Sequence, residues 1–271
     1  MVRTVTAIYR YPVKGLSAER MDRVALLPGE CLPHDRRFAI ALGSTRFDPQ
    51  CPEWLSKTHF IMLMRDEKLA QLRTRFDAES GILTIAENSR VLLRGQMSEP
   101  KGCRLVAEFF ADFLGDTVKG PLRAVEATEH AFADARRKSN ATTDKYVSLI
   151  NRASIAALET TMGVPVDPLR FRANVYFDGA SAWSEHDWIG SEITLGAARL
   201  RVISPITRCA ATQVSPVTAK RDPRHRRCPR ARLRPHQYGG LRRGIGRRRD
   251  RCWRCADRAA RQLDRRLTQF I

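Results

Sequence analysis

The sequence predicts a mostly β protein with some α structure, an α+β fold. Apolar and polar residues alternate over many short stretches that Gly, Pro and Asp separate, which is typical of antiparallel strands. Only two stretches carry apolar residues at helical spacing. We therefore expect an N-terminal β-barrel-like domain, a second β-barrel domain and an irregular C-terminal tail.

The predicted elements follow one another at short intervals. Strands are expected at 4–11, 21–27, 37–42, 70–76, 82–85, 91–93, 122–127, 173–177, 192–195 and 199–203. A helix is expected over 103–114 and another over 154–162, because Gly115 and Gly163 stand where helices commonly end. Gly120-Pro121 marks a boundary, so we expect domains at 1–118 and 119–222 and a tail at 223–271.

The positive charge is concentrated in that tail. The whole chain has a formal net charge of +19, which by itself suggests a nucleic-acid or membrane partner. Residues 223–271 contain 17 Arg, three Asp and no Lys or Glu, a net charge of +14 that leaves +5 for residues 1–222. The charge balance of residues 1–222 is therefore ordinary for a globular protein.

Three interpretations of the tail remain open. It could be a basic arm that binds nucleic acid, although aromatic residues are sparse in it. It could hold zinc, because His225/Cys228 and Cys252/Cys255 are two pairs at the right spacing. It could also be a GC-rich gene segment read out of frame: a one-base shift over 236–244 allows a strand-like alternation. We favour the frameshift interpretation and expect the tail to be poorly ordered.

The chain shows no sequence signal for membranes or secretion. It has no run of eighteen apolar residues, and its first residues lack a signal-peptide pattern. The seven cysteines are an odd number, which favours reduced thiols over a disulfide framework. We therefore expect a cytoplasmic protein with no membrane or nucleic-acid partner.

Four motifs together resemble one family, the two-part MOSC proteins. In these proteins an N-terminal MOSC β-barrel domain precedes a MOSC domain, and the group includes the mitochondrial amidoxime-reducing component and related bacterial reductases. The motifs are Tyr11-Pro12-Val13-Lys14-Gly15, Asp35-Arg36-Arg37-Phe38, Arg170-Phe171-Arg172-Ala173-Asn174 with Asp178-Gly179, and Ile206-Thr207-Arg208-Cys209-Ala210-Ala211-Thr212.

The resemblance implies that the chain binds the molybdenum cofactor (molybdopterin). Cys209 would be the molybdenum ligand and the catalytic residue, and Thr207 and Arg208 would line its pocket. Molybdenum takes soft sulfur ligands, and the charge of Arg208 would favour a thiolate. The residues that would hold the pterin and its phosphate are Lys14, Arg36, Arg172 and Asn174.

A structural alternative exists for each of these residues. Cys209 could be a buried small apolar residue, and Lys14 and Arg36 could lie on a solvated rim. Arg172 could form a surface ion pair with Asp167 or Asp178. We expect packing and loop order, rather than chemistry, from Trp183, Glu185, Asp187 and Trp188, and structural roles from Cys31, Cys51 and Cys103.

By resemblance, the leading function is an oxidoreductase that reduces N-hydroxylated or other N-oxygenated small molecules. Residues 1–222 contain no iron–sulfur motif, so the electrons would come from a separate flavin, haem or iron–sulfur protein. The alternative is a sulfur-carrier or cofactor-handling protein with a persulfide on Cys209, which would act in the context of a pyridoxal-phosphate-linked sulfurase. A nucleic-acid-binding module built on the tail is the third possibility.

Overall fold

The computed structural model describes residues 3–48, 55–127, 131–132, 145–206 and 208–222. The predicted tail at 223–271 and its candidate zinc ligands lie outside these residues. Eleven strands and two α-helices occur within the described part of the chain. They are β1 (Thr4–Arg10), β2 (Glu19–Met21), β3 (Phe38–Ala41), β4 (Leu72–Phe76), β5 (Ile82–Glu87), β6 (Arg90–Gln96), α1 (Pro100–Leu114), β7 (Arg123–Glu126), β8 (Leu149–Asn151), α2 (Arg152–Met162), β9 (Val175–Asp178), β10 (Glu192–Leu195) and β11 (Ala198–Arg201). The predicted α+β class with mostly β character is confirmed.

Strands from both predicted domains pair with each other. The largest sheet has the order β2-β1-β9-β8, with β1 antiparallel to β2 and to β9. Strand β8 is parallel to β9. Strand β3 pairs with β7 in a sheet of its own. The residues that follow β1 therefore lie at the same sheet edge as those that precede β9.

A meander of β4, β5 and β6 packs against α1 to form the larger core. In β4 the side chains of Leu72, Thr74 and Phe76 are buried and those between them are exposed, as expected for a strand with one buried face. Helix α1 buries Val106, Phe110 and Leu114 against this sheet. Gly102 lets the helix approach β6 closely, because an added Cβ would lie 2.0 Å from the Gln96 carbonyl oxygen.

Most predicted elements are confirmed, with two exceptions. The predicted strand at 21–27 is wrong: the strand is β2, which ends at Met21, and the chain leads from there to the turn at Gly29. Leu27 is 65% exposed, so its apolar character does not reflect strand burial. The sequence did not predict β8, a three-residue strand whose pairing with β9 depends on contacts distant in the chain.

Among the described helices, none combines the length and hydropathy needed to cross a bilayer.

Candidate cofactor-binding site

The sheet edge beyond β1 and β9 brings several predicted site residues together. Tyr11 and Lys14 follow β1, Arg36 precedes β3, and Arg172 precedes β9. Because β1 and β9 are antiparallel neighbours, with Ile8 opposite Val175, these segments meet at one edge.

Two arginines lie against the ring of one tyrosine. The guanidinium carbon of Arg36 lies 5.0 Å from the ring centroid of Tyr11, and that of Arg172 lies 4.4 Å from it. One Arg36 guanidinium N–H donates to the carbonyl oxygen of Arg172 at 3.0 Å, and Arg172 donates to the Leu16 carbonyl oxygen at 2.6 Å. Two cationic groups predicted from separate motifs are therefore adjacent.

The backbone of both arginines is left-handed. Arg36 has φ of 53° and Arg172 has φ of 52°, a region that costs a residue other than glycine about 1 kcal/mol. Asp35, which is buried, holds the first of these turns. One of its carboxylate oxygens accepts from the Tyr11 N–H at 2.7 Å, and the other pairs with the Arg36 guanidinium. These bonds hold the Arg36 side chain against Tyr11.

Arg208 and Cys209 lie beside the same cluster. Burial lowers the pKa of Arg208, and the positive charge of Arg36 adds to this, whereas Tyr176, Cys209 and Tyr11 act in the opposite direction. Arg208 donates to the carbonyl oxygen of Phe171 at 3.0 Å. Because a guanidinium stays protonated under ordinary conditions, it places a fixed positive charge near the thiol of Cys209.

Cys209 is a free, half-buried thiol at the start of a short 3-10 turn, Ala210–Gln213. Its carbonyl oxygen accepts from the N–H of Thr212 at 3.2 Å and from the hydroxyl of Thr212 at 3.0 Å, so its loop has a defined conformation. Thr207 lies outside the described residues. Among the described residues, no three His, Cys, Asp or Glu side chains converge as metal ligands.

Two other cysteines differ from Cys209 in environment. Burial, followed by the charge of Asp35, raises the pKa of Cys31 from 9.0 to about 11, and its thiol approaches the Asp35 carbonyl oxygen at 3.7 Å. Burial also raises the pKa of Cys103, whose thiol donates to the Met97 carbonyl oxygen at 3.3 Å. Both remain neutral thiols near pH 7, a state unsuited to metal ligation. Cys51 lies outside the described residues.

Lys14 is buried, with 6% of its surface exposed. Its ammonium group donates to the Phe132 carbonyl oxygen at 3.1 Å and lies 5.9 Å from the ring centroid of Phe60. The alternative of a solvated rim is therefore wrong for Lys14. At the next position Gly15 has φ of 81°, which strains any side chain. Backbone conformation thus favours glycine at this position.

The side chain of Asn174 is part of a buried structural network. Its amide oxygen accepts from the N–H and hydroxyl of Ser148 at 3.1 and 2.9 Å, and its amide nitrogen donates to the Tyr9 carbonyl oxygen at 3.1 Å. Asn174 is 1% exposed. Asn174 therefore stabilises the end of the sheet next to Arg172. Its predicted contact with the pterin stays a prediction.

The acidic residues considered as partners of Arg172 make other contacts. Asp178 pairs with Arg152 at 3.4 Å, and Asp167 accepts from the backbone N–H of Leu169 at 2.8 Å. Arg172 instead packs on Tyr11, as described above. Neither of these two carboxylates therefore forms the surface ion pair considered as an alternative role for Arg172.

A cavity of about 280 Å³ opens next to Arg208. Its walls are mainly apolar and aromatic, and they include Ile150, Ile155, Leu158, Phe171, Trp183, Trp188, Ile189 and Val202. The Glu185 carboxylate accepts from the hydroxyl of Ser154 at 2.7 Å, and this hydroxyl accepts from the N–H of Trp183 at 2.8 Å. These bonds fasten the loop to α2, which supports the predicted ordering role of Glu185 and Trp183.

Sequence reasoning missed two residues at this edge. Tyr11 belongs to one of the four motifs but has no predicted role, and Tyr176 lies in none of them. The Tyr11 hydroxyl donates to the Ala173 carbonyl oxygen at 3.2 Å, and the Tyr176 hydroxyl donates to the Pro168 carbonyl oxygen at 2.9 Å. The position of Tyr11 within a motif of otherwise small and charged residues was the available signal.

Comparisons with known proteins identify one family and two relatives. Residues 128–245 match the MOSC domain family, a match that continues past Asp222 into the Arg-rich segment. The mitochondrial amidoxime-reducing component 1 of Xenopus laevis is 33% identical over 70 residues, which are 26% of this chain and 20% of that protein. The molybdenum cofactor sulfurase of Caenorhabditis briggsae is 24% identical over 228 residues, which cover 81% of this chain and 30% of that protein.

In each comparison the aligned region covers less than a third of the relative's own length. The family model nevertheless matches residues 128–245 of this chain. This chain therefore contains a MOSC domain, and its relatives include an amidoxime-reducing component and a molybdenum cofactor sulfurase.

Proposed function

We propose that this chain binds the molybdenum cofactor and is an oxidoreductase that reduces N-hydroxylated or related N-oxygenated small molecules. The observation that carries the proposal is that Arg36 and Arg172 lie 5.0 and 4.4 Å from the ring centroid of Tyr11. Arg208, which precedes Cys209, donates to the carbonyl oxygen of Phe171, the residue before Arg172. Electrons would come from a separate donor protein with a flavin, haem or iron–sulfur centre. We propose the cytoplasm as its compartment.

The residues at the edge fit the chemical groups of this cofactor. A phosphate favours guanidinium groups, which donate several hydrogen bonds from a delocalised charge. Arg36 and Arg172 supply two such groups, both in contact with the ring of Tyr11. Molybdenum favours soft sulfur, and Cys209 is a free thiol with a guanidinium as its neighbour.

Each protein residue then has a defined task. Arg36 and Arg172 bind the phosphate and orient the pterin, and Arg208 places its positive charge beside Cys209, the proposed sulfur ligand. The cofactor, when bound, supplies a two-electron redox centre. The aromatic cavity beside Arg208 excludes water and accepts the apolar part of a substrate.

Metal and pterin analysis tests the cofactor assignment directly. The full chain would be expressed in a host that makes the cofactor, and its molybdenum and pterin content would be measured. We expect both in equal amounts in the wild type and a large loss of both in Arg36→Gln/Arg172→Gln. The matched control is Arg201→Gln, because Arg201 is half-exposed and pairs only on the surface with Glu192. Wild-type protein without molybdenum or pterin would contradict the proposal.

Reduction of N-hydroxylated compounds with an artificial electron donor tests the reaction. We expect loaded protein to consume one such compound for every two electrons supplied. Loaded protein that reduces none of a panel of N-hydroxylated and N-oxide compounds would contradict the oxidoreductase assignment while leaving cofactor binding intact.

A second candidate function is a sulfur carrier that handles the cofactor, with a persulfide on Cys209. It is favoured by the longer of the two alignments, because the molybdenum cofactor sulfurase aligns over 81% of this chain. In this function the Cys209 thiolate would attack the outer sulfur of a cysteine persulfide on a pyridoxal-phosphate-dependent desulfurase. The new persulfide would form on Cys209, and the cysteine of the desulfurase would leave as a thiolate. Intact mass measurement distinguishes the candidates: a carrier gains the mass of one sulfur atom at Cys209, and a reductase retains molybdenum.

A further inference from the structure

The ring of Tyr11 contacts both arginines to which the proposed function assigns the phosphate. Its centroid is 5.0 Å from the guanidinium carbon of Arg36 and 4.4 Å from that of Arg172. Tyr11 is 1% exposed, so both contacts form away from bulk water. Each guanidinium is thus placed by the same aromatic surface.

Tyr11 is itself fixed to both arginine segments. Its N–H donates to Asp35 at 2.7 Å, and its carbonyl oxygen accepts from the N–H of Arg36 at 2.7 Å. Its hydroxyl donates to the carbonyl oxygen of Ala173, the residue after Arg172, at 3.2 Å. The ring therefore cannot shift without displacing the backbone that carries one or the other guanidinium.

The ring also offsets the repulsion between these cations. Like charges in a protein environment of low polarity repel more strongly than in water, and Arg208 adds a third positive charge nearby. The negative face of an aromatic ring attracts a guanidinium, most strongly where water is excluded. Burial raises the pKa of Tyr11 well above its ordinary value, so the ring stays neutral and its hydroxyl keeps its proton.

We propose that Tyr11 is a positioning residue that holds the Arg36 and Arg172 guanidinium groups together so that both can bind one phosphate group. The inference rests on the proposed function only for the identity of the molecule that carries the phosphate. The part of Tyr11 that matters is its ring, and its hydroxyl contributes mainly through the bond to Ala173.

Titration with inorganic phosphate, followed by phosphorus NMR, tests this without the cofactor. Tyr11→Phe keeps the ring, so we expect its phosphate affinity to stay within about twofold of wild type. Tyr11→Leu removes the ring, and we expect an affinity about tenfold weaker. Arg36→Gln should weaken binding at least as much as Tyr11→Leu, because it removes a direct ligand.

The control is Phe110→Leu, which removes a fully buried ring of α1 that packs in the N-terminal core. We expect it to lower the Tm as Tyr11→Leu does but to leave phosphate affinity unchanged. If Tyr11→Leu does not fold, proton NMR of Tyr11→Phe tests the positioning role instead. In this variant the Arg36 and Arg172 side-chain signals should keep the ring-current shifts that they have in wild type, and loss of these shifts would contradict the role of the ring.

Unchanged phosphate affinity in folded Tyr11→Leu would overturn the positioning role, and so would a tenfold loss in Tyr11→Phe. Both outcomes differ from failure of the proposed function, in which wild-type protein binds phosphate but contains no molybdenum or pterin.

Discussion

The side-chain amide of Asn174 is bonded to Ser148 twice, through the Ser148 N–H at 3.1 Å and its hydroxyl at 2.9 Å. The Ser148 hydroxyl in turn accepts from the backbone N–H of Asn174 at 3.0 Å. These residues are 26 positions apart in the chain and stand immediately before β9 and β8. Together with the bond from Asn174 to Tyr9, they join three strands of the sheet at the edge that carries the arginines.

Asn174→Ala removes a fully buried amide and leaves its partners at Ser148 and Tyr9 without it. Because a buried polar group left unsatisfied costs about 1–3 kcal/mol, we expect the free energy of unfolding to fall by about 3 kcal/mol. Urea denaturation followed by circular dichroism measures it. The control Ser184→Ala, on an exposed loop, should change stability by less than about 0.5 kcal/mol. Equal effects of the two substitutions would contradict the structural role of Asn174.

Cys209→Ala should abolish molybdenum incorporation and leave the fold intact. The thiol is the only part of this half-buried side chain that is lost, so the Tm should change by only a few degrees. Elemental analysis of protein from a cofactor-competent host measures the metal. Cys103→Ala is the matched control, because its thiol is neutral and hydrogen-bonded in the core. Full molybdenum content in Cys209→Ala would refute the ligand assignment.

Arg172→Gln should weaken retention of the cofactor more than Arg201→Gln does. Arg172 packs on a buried ring beside a second guanidinium, whereas Arg201 is 51% exposed in a surface pair that contributes about 0–1 kcal/mol. Pterin content after gel filtration in moderate salt measures retention. We expect a loss of about tenfold or more for Arg172→Gln, since charge-assisted bonds to phosphate are among the stronger hydrogen bonds. Identical retention would place Arg172 outside the binding site.

Stability should fall at alkaline pH through Cys31. Burial raises the pKa of this thiol from 9.0 to about 11 in the folded chain, so between these values the unfolded chain has lost a proton that the folded chain keeps. The contribution of Cys31 is therefore fully present below pH 9.0 and is lost as the pH rises to about 11.

Urea denaturation at a series of pH values across this window measures the effect. Cys31→Ala should show a shallower fall in the free energy of unfolding than wild type. Thr160→Ala, an exposed substitution on α2 that removes no titratable group, should keep the wild-type slope. A Cys31→Ala slope as steep as that of wild type would show that other groups account for the loss.

Local patterns accounted for most of the secondary structure. The alternation at Leu72–Phe76 and the helical spacing that ends at Leu114 are properties of a few neighbouring residues, and both elements are present as predicted. The prediction of a strand at 21–27 was wrong because residues 24–27 are apolar but are not part of a sheet. Strand β8 could not be predicted, since its three residues are ordered by a neighbour far along the chain.

The sequence by itself determined the fold class, the MOSC resemblance and the residue types of the site, because these depend on local periodicity and on short motifs. Only the tertiary structure decided which of those residues meet. The antiparallel pairing of β1 with β9 brings Tyr11 and Arg172 together from positions 161 residues apart, and burial makes Lys14 and Asn174 parts of the interior. Contacts between distant segments depend on how the strands pair across the whole chain, which no single stretch of residues specifies.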